Sequence, residues 1–235
     1  MLRGLLDNSA RLDASSCGAF VSALGRGEQW EQALRTFAAT CQQSLQPSVV
    51  AYSAVIGACA IAQFWRLAIS CVSEMQRRLV RPDTIAYNGV IGACEVGEQW
   101  GLALQVFTEL ALCGLRSTVI TFGTIVDAFE IGRRWEQALR GLYAARFAGL
   151  QLNAVVCNAA ISACERSKAS AWALAVLGLM SALALVPDKI SLSTAISACA
   201  NPEDWQAAVR LLRLHRIQLL EPDMVSHSAA ISACE

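Results

Sequence analysis

The sequence is poor in the residues on which most catalytic and metal sites depend. Only two of its 235 residues are histidines, His215 and His227, and neither lies near a cysteine or carboxylate motif. It contains no glycine-rich phosphate loop, no zinc deaminase signature and no recognisable catalytic triad. We therefore expect no catalytic residues, no bound metal and no cofactor, and we do not predict an enzyme.

An excess of charge of either sign is also missing. Nineteen Lys and Arg residues balance nineteen Asp and Glu residues, so the formal net charge is zero, and charged residues make up only 16% of the chain. Without a net field, binding to nucleic acid or to an anionic membrane would need a local site. The apolar content of 55% is too high for a disordered chain and predicts a buried core.

Paired cysteine motifs are absent as well. None of the ten cysteines forms a CxxC, and most fall within apolar helical runs. A disulfide framework is the alternative, but buried reduced thiols fit this placement better. Five cysteines recur at one position and predict a column of small core residues, without a tetrahedral metal site. They are Cys59, Cys94, Cys164, Cys199 and Cys234.

What the sequence does contain is a repeat of 35 residues. The stretch "AYSAVIGACA" at 51–60 returns as "AYNGVIGACE" at 86–95, and tryptophans recur at the same interval from Trp30 to Trp135. The period divides the chain into a remnant of a preceding repeat, six whole repeats and a truncated seventh repeat. Their bounds are 1–13 for the remnant, then 14–48, 49–83, 84–118, 119–153, 154–188, 189–223 and 224–235.

Each repeat carries two amphipathic helices. In repeat 2 the apolar residues from Tyr52 to Cys59 follow the i, i+3, i+4, i+7 spacing, and those from Trp65 to Val72 repeat it. Prolines such as Pro82 fall where one helix ends and the next begins. A single hairpin cannot bury both stripes, so neighbouring hairpins must stack. We predict an all-α fold, an α-solenoid of stacked helical hairpins, with thirteen helices over residues 14–235 and no strand.

One uncharged run is long enough to raise a membrane alternative. Residues 169–186 carry no charge over eighteen residues, which is the lower limit for a membrane span. The run keeps the repeat register, however, so we expect a buried solenoid helix and no membrane span. The N-terminal stretch "MLRGLLDNSARLD" has neither the apolar core of a signal peptide nor a clear targeting peptide.

The repeat itself carries a family resemblance. Repeat 2, "VVAYSAVIGACAIAQFWRLAISCVSEMQRRLVRPD" (49–83), resembles the pentatricopeptide repeat in its aromatic-plus-polar start and its "PD" ending, and other repeats show the "W.[EQ]AL" second helix. The tetratricopeptide repeat has a period of 34 and different tryptophan and glycine positions. The resemblance covers 14–235. It implies a right-handed superhelix that binds single-stranded RNA, one base per repeat. It also implies a role in RNA processing, stability or translation in a mitochondrion or chloroplast.

The resemblance assigns roles along each repeat. The second residue is an aliphatic wedge against the base plane, and the fifth and last residues form a pair that meets the Watson–Crick edge. The wedges would be Val50, Ile85, Ile120, Val155, Ile190 and Val225, with an atypical Ser15 in repeat 1. The edge pairs would be Gly18 with Ser48, Ser53 with Asp83, Asn88 with Thr118, Gly123 with Asn153, Asn158 with Asp188, and Ser193 with Asp223, followed by Ser228 in the truncated repeat.

The family's pairing preferences turn these pairs into a target. A Ser/Asp pair favours guanine, an Asn/Asp pair favours uracil and an Asn/Thr pair favours a pyrimidine, while the glycine pairs are not assigned. From repeat 2 to repeat 6, the site would read 5′ to 3′ as guanine, pyrimidine, an unassigned base, uracil and guanine.

The place where family members commonly carry a phosphate-facing lysine is mostly not basic here. It holds Arg26, Ile61, Val96, Ile131, Arg166 and Asn201. Because phosphate contacts supply much of the affinity for nucleic acid, we expect weak binding. The alternative is a protein–protein interaction scaffold on the same solenoid, which the zero net charge and the neighbouring Glu95, Glu130 and Glu165 favour. In either case, protein partners would supply any catalysis.

Three further expectations concern particular side chains. The tryptophans that start the second helices are expected to pack in the core, with base stacking as the alternative. Arg133 and Arg134 fall in a turn between helices, where a solvated surface is expected and a phosphate contact is the alternative. In the truncated repeat, Ala230, Ile231 and Cys234 are expected to expose an apolar edge.

Overall fold

The computed structural model describes residue 23 and residues 29–42, 47–201, 204–217 and 224–234. Within these residues the regular elements are twelve α-helices, and no strand occurs, which confirms the predicted all-α solenoid. The sequence predicts thirteen helices. The remaining one, the first helix of repeat 1, lies outside the described residues apart from the helical Ala23. The twelve are α1 Trp30–Gln42, α2 Val49–Ile61, α3 Trp65–Arg77, α4 Thr84–Val96, α5 Trp100–Leu112, α6 Val119–Ile131, α7 Trp135–Phe147, α8 Ala154–Arg166, α9 Ser170–Ala182, α10 Lys189–Ala198, α11 Trp205–Ile217 and α12 Met224–Ser232.

The helices start at intervals of 35 residues. The first helices of repeats 2 to 7 begin at Val49, Thr84, Val119, Ala154, Lys189 and Met224. The second helices begin at Trp30, Trp65, Trp100, Trp135, Ser170 and Trp205. In repeats 2 to 5 the hairpin turn between them contains a non-glycine residue with positive φ, such as Gln63 at 63° and Arg133 at 53°, so these turns use a left-handed residue to reverse the chain.

The chain forms two compact bodies, residues 1–97 and 98–235. In the first body α2 packs directly against α4, and α3 packs against both. Tyr52 of α2 and Tyr87 of α4 are fully buried, and the ring of Tyr52 meets Phe37 of α1 edge-on at 5.0 Å between centroids. The apolar stripes of the first helices therefore form the core of this body.

In the second body the first helices α6, α8, α10 and α12 pack against one another in succession. The second helices α7, α9 and α11 each pack against the two first helices on either side. Ile125, Leu142, Ile161 and Met180 are almost completely buried between them. This arrangement is the stacking of hairpins that the sequence predicts, whereas the right-handed sense of the whole array stays a prediction.

Four of the five recurring cysteines lie in the core as predicted, whereas Cys234 is exposed, so the core prediction was wrong for Cys234. Cys59, Cys94, Cys164 and Cys199 are fully buried, and burial raises the pKa of each thiol to about 11. No disulfide bond joins the described cysteines. Their thiols are thus held in the neutral form, as small apolar residues would be.

The uncharged run at 169–186 forms α9, a helix of 13 residues in register with the other second helices. Ala173 and Met180 on this helix are fully buried, as predicted for a solenoid helix. Among the helices that the structure describes, none is both long and apolar enough to cross a membrane.

The apolar edge predicted for the truncated repeat is only partly observed. Ile231 is 61% exposed and Cys234 is exposed, but Ala230 is only 6% exposed, so the prediction was wrong for Ala230. The reason is that α12 packs against both α10 and α11, which cover one side of it.

Candidate nucleic-acid interface

The wedge positions form a recurring set of exposed apolar side chains in the first turns of the first helices. Each is β-branched and between 61% and 71% exposed, although its helix is otherwise largely buried. They are Val50, Ile85, Ile120, Val155 and Ile190. A β-branched side chain has a stiff χ1, so each of these positions presents a rigid apolar face to solvent. The side chain of Val225 lies outside the described residues.

The last residue of each described repeat caps the first helix of the next repeat. Each side-chain oxygen accepts a hydrogen bond from the backbone N–H three residues later, at 2.8–3.3 Å. These residues are Ser48, Asp83, Thr118, Asn153 and Asp188. Ser, Thr, Asp and Asn are the preferred N-cap residues because they satisfy otherwise unpaired N–H groups. Sequence reasoning missed this role, although a short polar residue just before an apolar helix is its usual signal.

The fifth residues of the repeats lie in different surroundings. Ser53 is half-buried, and its hydroxyl donates to the carbonyl oxygen of Val49 at 3.0 Å, so it makes no hydrogen bond to Asp83. The side-chain Oδ1 of Asn88 is buried without a hydrogen-bond partner in the described structure. Gly123 is buried, and a Cβ there would lie 3.4 Å from Val156. Repeat 4 therefore has no fifth side chain with which to contact a base.

Ser193 is the fifth residue that departs most from expectation. The sequence predicts a short polar residue on an open face, but Ser193 is only 9% exposed and accepts a hydrogen bond from Ser226 Oγ at 3.0 Å. The expectation of an open position was wrong, because α12 of the next repeat covers it. Ser228 is exposed. Gly18, Arg26, Ser15 and Asp223 lie outside the described residues.

The structure brings one predicted edge pair into direct contact. The amide Nδ2 of Asn158 lies 3.4 Å from both carboxylate oxygens of Asp188. The buried Ser191 hydroxyl lies 2.6 Å from Asn158 Oδ1 and 2.8 Å from Asp188 Oδ1. Burial opposes ionisation of Asp188, but the hydrogen bonds from Ser191 and Asn158 outweigh it and lower the pKa of this carboxyl. The pair therefore presents a fixed carboxylate beside a fixed amide.

Acidic residues lie in the last turn of the first helices of repeats 4 and 5. Glu130 Oε1 accepts from Ser162 Oγ at 2.8 Å and lies 3.2 Å from Arg166 Nε, and Glu165 accepts from Ser197 Oγ at 2.8 Å. Asp127 lies nearby on α6, and its burial, together with the charge of Glu130, raises its pKa to about 6. Arg166, the one described basic residue at the phosphate-facing place, is thus already paired.

Tryptophans begin five of the six described second helices as predicted, and Trp65 and Trp100 pack on the hairpin turn of the following repeat. A Cβ at Gly132 would lie 2.6 Å from Cδ1 of Trp100, and a Cβ at Gly97 would overlap the indole of Trp65. Trp205 is 47% exposed, so the core prediction is wrong for that residue. Arg134, predicted to be solvated, is exposed and stacks over Trp100 at 4.5 Å.

Two family models match part of the sequence. The model described as "Pentatricopeptide repeat domain" matches residues 70–130, and the model described as "PPR repeat" matches residues 50–78. Comparison with the curated proteins gives no significant match.

Similar solved structures cover most of the chain. The crystal structure of the pentatricopeptide repeat protein PPR10 from maize has a TM-score of 0.73 and 24% identity over 94% of this chain and 32% of that chain. PPR10 in complex with an 18-nucleotide psaJ RNA element has a TM-score of 0.63 and 22% identity, over 97% and 38%. The chain thus spans about a third of the length of PPR10.

A shorter protein extends the likeness of fold. The PPR domain of Arabidopsis thaliana protein-only RNase P 1, solved in complex with tRNA, has a TM-score of 0.66 and 14% identity, over 74% of this chain and 91% of that domain. At these identities the likeness shows the fold. The matched models place pentatricopeptide repeats within residues 50–130, and the helices that start every 35 residues extend a similar fold along the described chain.

Proposed function

We propose that this protein binds single-stranded RNA along its first helices, one base per repeat, and acts in RNA processing, stability or translation in a mitochondrion or chloroplast. The observation that carries the proposal is the recurring set of exposed β-branched wedge residues, each 61–71% exposed at a fixed repeat position. Rigid apolar faces at regular spacing suit the faces of successive unstacked bases, since every base offers a π-face to a nonspecific contact.

The capping residues add a polar edge beside each wedge. The capping side chain accepts one hydrogen bond from a backbone N–H of the first turn. An Asp or Asn side chain can form further hydrogen bonds with its other polar atom. Asp188 illustrates this, because Oδ1 accepts from Ser191 N at 2.8 Å while Oδ2 lies 3.4 Å from Nδ2 of Asn158, a long contact. The cap also fixes the rotamer of the residue. A side chain held in one rotamer can present its remaining polar atoms to a base at a fixed position.

The solved relatives support the same partner. PPR10 was crystallised with an RNA element, and the PPR domain of protein-only RNase P 1 was crystallised with tRNA. In this chain we assign uracil to the Asn158 and Asp188 pair and guanine to the Ser53 and Asp83 pair. Any cleavage or editing of the RNA would be performed by protein partners.

A protein–protein scaffold is the second candidate, and the pairing of Arg166 with Glu130 favours it, because this pairing removes a free cation from the phosphate-facing place. The two functions differ in their response to salt. Titration of the full chain with a single-stranded RNA carrying the predicted order of bases should show binding that weakens linearly on a log–log plot against salt. A permuted RNA of equal composition should bind more weakly. Absence of binding to both RNAs at low salt would exclude the RNA proposal and leave the scaffold.

A further inference from the structure

Repeat 4 departs from the other repeats at one core position of its second helix. The equivalent residues in repeats 2, 3, 5 and 6 are Cys71, Val106, Val176 and Leu211, and all of them are buried. Repeat 4 has Gly141 instead, which fills none of this volume. Gly141 lines a cleft of about 290 Å³ between α5, α6 and α7, and a Cβ at Gly141 would lie 3.3 Å from Cγ2 of Val126 on α6. Clefts of about this size are at the lower end of those that take a ligand.

The floor of the cleft is also particular to repeat 4. Phe129 of α6 occupies the position that holds a buried cysteine in four other repeats, and Phe122 and Ile125 lie beside it. Leu104 and Phe107 of α5 form one wall, and Gln137, Arg140, Gly141 and Ala144 of α7 form the other. Repeat 4 thus combines two departures from the other repeats, the aromatic Phe129 and the absence of a side chain at Gly141.

This cleft lies on the far side of α6 from the wedge. Phe129 follows Ile120 by nine residues, which is about two and a half helical turns, so the two side chains project in opposite directions. Ile120 is 71% exposed, whereas Phe129 is 3% exposed. A ligand in the cleft would therefore leave the proposed RNA-binding face free.

Arginine and aromatic residues surround the cleft. Arg140 lines it and also lines a neighbouring cleft with Tyr143 and Trp172, which are 40% and 45% exposed. One turn further on α7, Phe147 is 96% exposed beside Arg146. No carboxylate of the described residues lies within ion-pair distance of Arg140 or Arg146. Aromatic and arginine residues around an apolar pocket are typical of protein interaction hot spots.

We propose that this cleft binds an acidic amphipathic helix of a protein partner. The lining residues of α7 run from Gln137 to Ala144, about 10 Å along the helix, which is two turns. Two turns of a partner helix would place apolar side chains at positions i and i+3 or i+4 over the rings of Phe107, Phe122 and Phe129. Its carboxylates would then meet Arg140 and Arg146, for which the described residues provide no carboxylate within ion-pair distance, although Glu136 lines the neighbouring cleft beside Arg140. The apolar lining does not suit a phosphate backbone.

The test uses the full chain and two display libraries of 14-residue helical peptides. Both libraries carry Phe, Leu, Met or Trp at one face, and they differ only in having Glu or Lys on the flanking positions. We expect enrichment from the Glu library and not from the Lys library. Equal or better enrichment from the Lys library, or enrichment from neither, would overturn the proposal.

Selected peptides are then titrated against four variants. Gly141→Val introduces the residue of repeats 3 and 5, and Ala144→Glu introduces the residue of repeats 2 and 3 at an exposed site that carries little risk to folding. Arg140→Glu reverses the charge, and Arg210→Glu is the matched control at the same position of repeat 6. The first three should weaken binding at least tenfold, and Arg210→Glu less than twofold.

Two results would assign the surface to another partner and overturn the proposal. The first is a loss of RNA binding in Arg140→Glu but not in Arg210→Glu, which would assign the surface to nucleic acid. The second is concentration-dependent dimerisation of the unmodified chain that Gly141→Val abolishes, which would assign it to a second copy. Peptide binding that is unchanged in Gly141→Val and Ala144→Glu would also reject the cleft as the site.

Discussion

Arg166 and Glu130, 36 residues apart in the sequence, form an ion pair with 3.2 Å between Nε and Oε1. The pair joins the ends of α6 and α8, the first helices of successive repeats. It places a neutralised cation where a nucleic-acid-binding repeat would need a free one. In the proposed RNA-binding function, affinity would therefore depend on this carboxylate as well as on the basic residues.

Replacing Glu130 by Gln should strengthen RNA binding. The amide keeps an acceptor for Ser162 but releases Arg166, which should add one phosphate contact and steepen the salt slope by about 0.7. Glu165→Gln is the matched control, because Glu165 occupies the same repeat position and accepts from Ser197 without an arginine partner in the described structure. Titrations at several salt concentrations check this, and equal effects from the two variants would argue against a released cation.

Shortening a wedge should weaken RNA binding without changing the preferred base. Ile190 is 64% exposed, so Ile190→Ala should cost little folding stability and should reduce affinity for every RNA sequence. Val186→Ala is the control, since Val186 is 77% exposed outside the wedge positions. Binding titrations and thermal melts of both variants provide the measurement. Equal affinities for the two variants would contradict the wedge role.

Exchanging Asn158 for Ser should change the base preferred by repeat 5 from uracil to guanine. The pair with Asp188 becomes a Ser/Asp pair, and Asp188 keeps its cap on α10. The difference should be roughly 1–3 kcal/mol, the usual scale for a mismatched base contact. Paired titrations with RNAs that differ only at this base measure it, and an RNA changed at the repeat 2 base serves as the control. An unchanged preference would mean that this pair does not read the base.

The reverse exchange, Ser193→Asn in repeat 6, tests base preference less well than the sequence predicts. Ser193 is buried against Ser226, so an Asn there would have to displace a neighbouring helix. We expect Ser193→Asn to lower stability, which would obscure any change in base preference.

Asp127 should make stability fall between about pH 4 and pH 6. Its pKa is raised from 3.8 to about 6 by burial and by Glu130, so the folded state binds the proton more tightly than the unfolded state. The stability from this group is present below pH 4 and is lost as the pH rises through 6. Asp127→Asn should therefore be more stable than the unmodified protein at pH 7.5, by roughly 1–2 kcal/mol after allowing for partial exposure, and equal below pH 4. Urea unfolding from pH 3.5 to pH 8 measures this, and a constant difference would contradict it.

Adding a methyl group at Gly132 should destabilise the second body. The new Cβ would lie 2.6 Å from Cδ1 and 2.7 Å from Cγ of Trp100, and the indole cannot move without disturbing its packing. We expect Gly132→Ala to cost roughly 1–3 kcal/mol. Gly178→Ala is the control, because no atom lies within 4 Å of its added Cβ inside α9 and helix propensity favours Ala by about 1 kcal/mol. Chemical denaturation of both variants should show opposite signs.

The helices and their register could be predicted from the sequence because both arise locally. Apolar spacing from Tyr52 to Cys59 specifies a helix and its buried face, and a tryptophan or its equivalent marks each second helix. Stacking follows because a hairpin with two apolar stripes must bury them against its neighbours. The wedge positions could be proposed from the family resemblance for the same reason, since they depend only on position within the repeat.

What the tertiary structure decided are relations between residues about 35 positions apart. The pairing of Arg166 with Glu130, the burial of Ser193 under Ser226 and the cleft beside Gly141 all depend on how closely one hairpin packs on the next. The repeat pattern specifies which residues are equivalent, but it contains no distances between them. Whether a charge is paired, a hydroxyl is buried or a cleft stays open depends on which side chains the neighbouring repeat places beside it.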